Sequence, residues 1–350
     1  MTATEVKTGR FGCGVESEAL ERARAEPLYP PWTRAQWITA AVVAASVLLY
    51  PAVFTQPYMR HIMVMVFIYG LMAQGWNVLA GYCGQISLGH AFFFGIGAYS
   101  AAYLFTHHGI TPWAGMGVGV VFSVIAAALI GFPTFRLRGH YFAIATLVIG
   151  ETAHIVFLNW ETVGAATGLW IPVERDAPLR DMQFHESKAP NYYIGLAFLT
   201  LATAIVYKLE RSKIGFYLRA VREDPEAAQS LGVDVTRCKM IAIMISAALT
   251  SVAGTLYAQY TLIIDPETVL PLLLSILVVL MTMLGGLGTL WGPIIGAAVL
   301  VPLSEATRVW VGGTGGAEDL MIYGALITII AVCYPSGLIG LGRRLLERRR

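Results

Sequence analysis

Between Arg60 and Arg136 the chain contains no Asp, Glu, Lys or Arg, and the same holds from Thr268 to Ser304. A chain folding in water cannot sustain such runs, because each helix or sheet has to turn a polar face to solvent. A bilayer imposes the opposite demand. Its hydrocarbon core is crossed by about 20 apolar residues of helix, and only helices or closed barrels satisfy their own backbone there. Composition agrees: 13% of the 350 residues are charged and 56% are hydrophobic, whereas soluble chains carry about 25% charged residues. The fold class that follows is an all-α polytopic membrane protein.

Ten apolar segments can be read, at about 37–54, 60–79, 86–106, 112–132, 140–159, 191–208, 240–262, 271–286, 289–308 and 318–339. The third is interrupted by Gly81, Gly84, Gly89, Gly95 and Gly97, and the eighth is short. Both suggest discontinuous helices, tolerated in a membrane only where protein or a polar cavity satisfies the backbone. Gly115-x-x-x-Gly119 and Gly292-x-x-x-Gly296 read as helix-packing positions. Positive charge sets the orientation. Bases gather in residues 1–36, at Arg136 and Arg138, in the loop 209–239 and in the tail 341–350. Ten spans put all four regions on the cytoplasmic side, and an odd number would not. The loop 160–190, rich in acids such as Glu161, Glu174 and Asp181, then lies outside. The expectation is a cytoplasmic region 1–36, a membrane domain 37–340 and a basic cytoplasmic tail 341–350.

Residues 1–36 mix acids and bases and lack the apolar core of a secretory signal; within them, Glu16–Glu26 reads as a short surface helix or a disordered run. Cys13, Cys83, Cys238 and Cys333 are far apart and suggest neither a disulfide framework nor a zinc site.

The loop 209–239 holds the most pointed local signal. Asp224 is a good N-cap, Pro225 suits the first helical position, and Gly232 is a natural C′ residue. Between them Glu226, Ala227, Ala228, Gln229 and Leu231 favour helix. The product is a short capped helix with small residues, able to approach another protein closely.

Glu226-Ala227-Ala228-x-x-x-Gly232 resembles the loop by which bacterial ABC-transporter permeases contact their ATPase subunits. Asn77 to Phe93 (NVLAGYCGQISLGHAFF), Arg136 to Leu147 (RLRGHYFAIATL) and Gly285 to Pro293 (GGLGTLWGP) resemble successive motifs of the branched-chain amino acid ABC permeases. The likeness runs from about residue 60 to 340 in the family's motif order. It implies an ABC importer permease fold in the bacterial inner membrane, with both termini cytoplasmic. It further implies two ATP-binding subunits, a second related permease subunit and a periplasmic substrate-binding protein. Asp224, Pro225, Glu226, Ala227, Ala228 and Gly232 would form the ATPase coupling site. One departure concerns substrate. The family's loop after the fifth span carries a Thr-Gly-Gly-x-x-Gly-like run, where this chain has Thr162 to Leu169 (TVGAATGL). Relatives are associated with urea, short amides and other amino acids, so those remain open beside branched-chain amino acids.

No Gly-x-x-x-x-Gly-Lys-[Ser/Thr] occurs, so ATP must be hydrolysed by other chains. Neither a nucleophile–base–acid set nor a metal-ligand cluster is visible, and the expectation is a transporter without catalytic residues, metal or cofactor, and without nucleic acid as partner. Polar residues inside apolar spans mark a translocation path or satisfy neighbouring helices. Gln85 and Ser87, at the broken start of the third segment, and Tyr141, Thr146 and Glu151 on the fifth are the candidates. Tyr141 and Thr146 lie near one face and favour interhelical hydrogen bonding. Glu151 has His154 at i+3. That pair would be the proton relay of an ion-coupled secondary transporter, the main rival from another class. In an ABC permease it bonds a neighbouring helix or lines a polar cavity. Glu305 and Arg308 read as an ion pair near a span end. A passive urea- or glycerol-type channel fits less well, since it needs no capped cytoplasmic helix.

Overall fold

A computed structural model describes residues 45–54, 56–135, 137, 139–174, 178–184, 188–310 and 337–340. The chain divides into two units, Met1–Val53 and Phe54–Arg350. In the first, residues 45–53 are helical and coincide with the end of the first expected segment. The remainder of that segment, most of the tenth, the region 1–36 and the tail 341–350 lie outside the described residues.

The second unit is a bundle of helices. In chain order these are α1 Pro57–Asn77, α2 His90–His108, α3 Pro112–Thr134, α4 His140–Asn159 and α5 Ala189–Glu210. Two short helices follow, α6 Lys213–Glu223 and α7 Pro225–Ser230. Then come α8 Val235–Thr261, the single turn α9 Pro266–Val269, α10 Leu272–Gly285 and α11 Gly292–Trp310. Among the described residues six stretches are long and apolar enough to cross a membrane: Pro57–Tyr82, α3, α4, α5, α8 and Pro266–Gly285.

The centre is built from α1, α2 and α8, and it is held by absent side chains. A Cβ on Gly97 would stand 2.0 Å from the Ser251 carbonyl oxygen, and one on Gly254 would stand 1.9 Å from that of Phe94. The backbones of α2 and α8 therefore touch. α3 joins them through Gly115 against the Ala101 Cα and Gly119 against the Gly97 Cα. Gly296 likewise lets α11 meet the Met281 carbonyl of α10. Lipid tails supply no hydrophobic drive between helices, so close van der Waals packing of this kind is what associates them.

This arrangement corrects the reading of the third segment. Gly95 and Gly97 do not interrupt it, and α2 is continuous from His90 to His108. In hydrocarbon a helix keeps its internal hydrogen bonds because no water competes for them. The glycines serve contact, and the break lies upstream at 83–89. The eighth segment, 271–286, is a single unbroken helix, α10; the separate turn α9 precedes it, divided from it at Leu270 and Pro271.

Outward, α3 exposes Val121, Phe122, Ile125, Leu129 and Phe132, and α4 exposes Tyr141, Ile144, Val148 and Ile155. Such apolar stripes are unsuited to water and suited to lipid. α4 buries only Phe142, Thr146, Gly150 and His154, a narrow row at i+4 spacing. One small ladder departs from the all-helical expectation. Leu169–Trp170 pairs antiparallel with Ile263–Ile264, since the 160–174 loop packs over the bundle end and its buried backbone needs partners. In that loop Ala165 stands at φ +46°, a left-handed position that favours glycine.

Candidate functional site

The Asp224 cap forms as its chemistry requires. Its side chain accepts hydrogen bonds from the backbone N–H groups of Glu226 (2.9 Å) and Ala227 (3.1 Å). The far end closes with Gly232 N–H on the Gln229 carbonyl and Val233 N–H on the Ala228 carbonyl, with Gly232 at φ +86°. That is a Schellman closure. Of the two alanines only Ala227 is exposed; Ala228 is 3% exposed and turned inward, where α7 packs on α6 and α8. The small-residue reading of Ala228 therefore belongs to internal packing. Leu231, four residues after Ala227 and on its face, is 86% exposed.

α6 fastens this helix pair to the bundle. Gly215, Leu218 and Val221 are buried at three-residue spacing. Arg219 pairs with Glu210 at the end of α5 and lies over the Tyr82 ring, 5.7 Å from its centroid. Arg222 Nη1 donates to the Gly81 carbonyl oxygen at 2.8 Å. Gly81 belongs to a π-helical turn, Val78–Tyr82, that ends α1. A Cβ on Gly288 would stand 2.5 Å from the same Arg222 nitrogen, and one on Gly84 3.1 Å from its Cγ. The Arg222 side chain fills a notch that Gly84 and Gly288 leave.

The turn 286–291 is tied to α1 by buried amides. Asn77 Oδ1 accepts from Gly288 N–H (2.9 Å), while Asn77 Nδ2 and Gln74 Nε2 donate to the carbonyls of Thr289 (3.0 Å) and Leu290 (2.7 Å). Two helix breaks and the capped helix pair thus share one joint, centred on Arg222 and Asn77. The sequence offered only a basic residue in a loop and an amide in an apolar run as signals for it.

The candidate path residues fall differently. Ser87 is buried, and its hydroxyl lies 3.0 Å from Nδ1 of His90, whose Nε2 is 2.6 Å from the Ser246 hydroxyl on α8. Trp76 Nε1 donates to the Ser87 carbonyl at 2.7 Å. Ser87 and His90 therefore support the broken backbone. Gln85 is half-buried in the same break. Thr146 Oγ1 accepts from Leu88 N–H at 3.1 Å and donates to the Ala143 carbonyl, joining α4 to that break. Tyr141 is 71% exposed on the outer face, so it and Thr146 do not share a face; a five-residue step turns the helix well past one full turn. Thr146→Val is expected to strand the Leu88 N–H and lower stability by about 1–3 kcal/mol, with Thr146→Ser near wild type, as read by thermal unfolding in detergent.

Glu151 flanks the buried row of α4. Its Oε1 lies 3.6 Å from His154 Nδ1, and Glu267 of α9 approaches Nε2 at 3.9 Å. The pair bridges α4 towards α9, and its carboxylate is 44% exposed.

None of these five lines a cavity found elsewhere among the described residues. That cavity, about 300 Å³, lies between α1, α8, α10 and α11. His61, Thr261, Ser304 and Glu305 form its polar wall, and Met65, Leu277, Met281 and Val301 its apolar wall. Glu305 was read as a surface ion pair with Arg308, whose side chain lies outside the described residues; the structure puts Glu305 on the cavity.

A helical bundle with lipid-suited outer faces, broken helices in its core and a capped helix outside it defines a multi-pass membrane permease. The chain belongs to the family described as "Branched-chain amino acid transport system / permease component", which matches residues 58–331. It is 31% identical to the high-affinity branched-chain amino acid transport system permease protein LivM of Salmonella typhimurium, over 81% of this chain and 70% of that one. Its identity to LivM of Escherichia coli is 30%, over 79% and 68%. Against LivH of Salmonella typhimurium it is 23%, over 78% and 91%. No solved structure matches.

Proposed function

We propose that this chain is one permease subunit of an ABC importer for branched-chain or related amino acids, in the bacterial inner membrane. The observation that carries this reading is the capped α6–α7 pair anchored by Arg222 to two helix breaks. A solute channel has no use for such a joint, whereas an ATP-driven permease needs one between its ATPases and its core. In this reading a second, related permease completes the pathway; the matches to both LivM and LivH support a pair of that kind. Two ATPase subunits dock on α7, and a periplasmic binding protein delivers solute at the 160–190 side. Ten spans with both termini cytoplasmic follow from the distribution of bases.

Topology is testable with impermeant maleimide and introduced cysteines, with Cys13, Cys238 and Cys333 replaced by Ser. Glu223→Cys should label only in opened cells, and Arg180→Cys should label in intact ones. Native Cys83 should stay silent, being buried, with its thiol pushed by that burial up to about 12. The thiol is therefore almost wholly protonated at neutral pH, and the reactive thiolate is scarce. Labelling of Glu223→Cys from outside would overturn the orientation.

Power source is testable at Glu151. With ATP as driver, Glu151→Gln keeps its size and hydrogen bonding and should retain uptake within about fivefold, because its half-exposed carboxylate contributes at most about 1 kcal/mol. With a proton gradient as driver, loss of the titratable group should abolish accumulation. Uptake in energised vesicles separates the two.

A further inference from the structure

The exposed side of α5 changes character along its length. Ala197, Leu201, Ala204 and Ile205 are exposed at helical spacing and form one stripe. The stripe is apolar, as contact with lipid tails demands. Lys208 and Arg211 continue it over the last turn and the residue beyond, and both are exposed. The Arg211 guanidinium lies 4.3 Å from the Tyr207 ring centroid. A long base at a span end lays its stem along apolar surface in this way and keeps its head at the water boundary. The chain then turns at Ser212, whose hydroxyl accepts from Gly215 N–H at 3.2 Å, and enters α6 with Lys213, Ile214 and Tyr217 exposed. From Ala189 to Arg222 there are five bases, Lys208, Arg211, Lys213, Arg219 and Arg222, and one acid, Glu210. Arg219 engages that acid. The elbow between α5 and α6 therefore carries net positive charge at the level where the apolar stripe ends. α6 stays at that level, because Arg219 holds it to the end of the span Ala189–Glu210 and Arg222 to the end of the span Pro57–Tyr82.

We propose that this elbow binds the headgroup of an anionic phospholipid. The phosphate lies among Lys208, Arg211 and Lys213, an acyl chain runs along Leu201 and Ile205, and Tyr207 and Tyr217 stand at headgroup level, where tyrosine is enriched. A lipid fits better than a protein surface. The bases continue a stripe that lies inside the span, and a soluble partner cannot enter the hydrocarbon. Charge selects the headgroup. Each base near an anionic surface is worth about fivefold in binding, whereas a zwitterionic headgroup carries no net charge to answer them.

The test uses the full-length permease, purified with the subunits that accompany it, in nanodiscs of equal parts phosphatidylglycerol and phosphatidylcholine. The lipids that stay bound after transfer to detergent are counted by mass spectrometry. The wild type should retain phosphatidylglycerol over phosphatidylcholine by about tenfold or more. Lys208→Gln combined with Lys213→Gln should bring the two lipids near parity, and Lys208→Arg combined with Lys213→Arg should keep the preference. Lys188→Gln, at the opposite end of α5, should leave it unchanged. Raising salt from about 0.05 to 0.5 M should erode the wild-type preference, since exposed charges are screened; this reads the charge contribution without any substitution. Equal retention of both lipids by the wild type, an undiminished preference in the double glutamine variant, or the same loss in Lys188→Gln would overturn the proposal. Loss of an accompanying subunit from the double glutamine variant with its lipid preference intact would assign the elbow to a protein partner instead.

Discussion

Ala227→Trp is expected to leave the permease inserted and thermally unchanged while the ATPase subunits proposed for it no longer co-purify. Ala227 lies on the exposed face of a helix fixed at both ends, by Asp224 and by the Schellman closure at Gly232. A partner surface shaped to an alanine cannot close over an indole, and contacts are forfeited steeply with separation. A lost interface anchor weakens binding by on the order of 2 kcal/mol or more, about 30-fold. Leu231→Arg should act likewise through the neighbouring turn. Gly232→Val reaches the same outcome by another route. A side chain there meets nothing within 4 Å, so any effect comes from the φ of +86°, at about 1–2 kcal/mol. Ala228→Trp makes the useful contrast: a buried residue enlarged in this way should destabilise the α6–α7 pair itself. Normal ATPase co-purification with Ala227→Trp and Leu231→Arg together would show α7 to be a connector only.

Arg222→Ala should separate ATP hydrolysis from transport. The ATPases should still bind, since α7 is untouched, but uptake should fall by tenfold or more and stability by about 1.5–3 kcal/mol, the range for a hydrogen bond to a charged group. The reason is geometric. Arg222 is where α6 reaches the Gly81 carbonyl and stands against Gly288, so in the proposed coupling a displacement of α7 would reach the ends of both α1 and α10 through this side chain. Arg222→Lys should recover part of the uptake, because an ammonium keeps the charge and loses the planar fork. Binding-protein-stimulated ATP hydrolysis and uptake, measured on the same proteoliposomes, decide it. Full transport in Arg222→Ala would mean that movement takes another route.

Some of this protein was fully determined by its sequence. Long charge-free apolar runs mark membrane helices, because a continuous apolar stretch in the bilayer satisfies its backbone within the helix itself. The caps of α7 were legible, since Asp224, Pro225 and Gly232 act through local backbone chemistry that needs no tertiary contact. What a side chain faces was another matter. Ala227 and Ala228 are adjacent and alike, and only the packing of α7 on α6 and α8 turns one outward and the other in. Gly95 and Gly97 looked like helix breaks because glycine is costly inside a helix in water. In lipid, with α8 pressed against α2, the same glycines are contact points. Thr146 and Ser87 satisfy a broken backbone that only folding brings beside them. His61 and Glu305 stand far apart in the chain, one at the start of α1 and the other on α11, and no spacing rule connects them. Their convergence on one cavity was decided by how four helices cross, which depends on the van der Waals fit of small residues along their whole length.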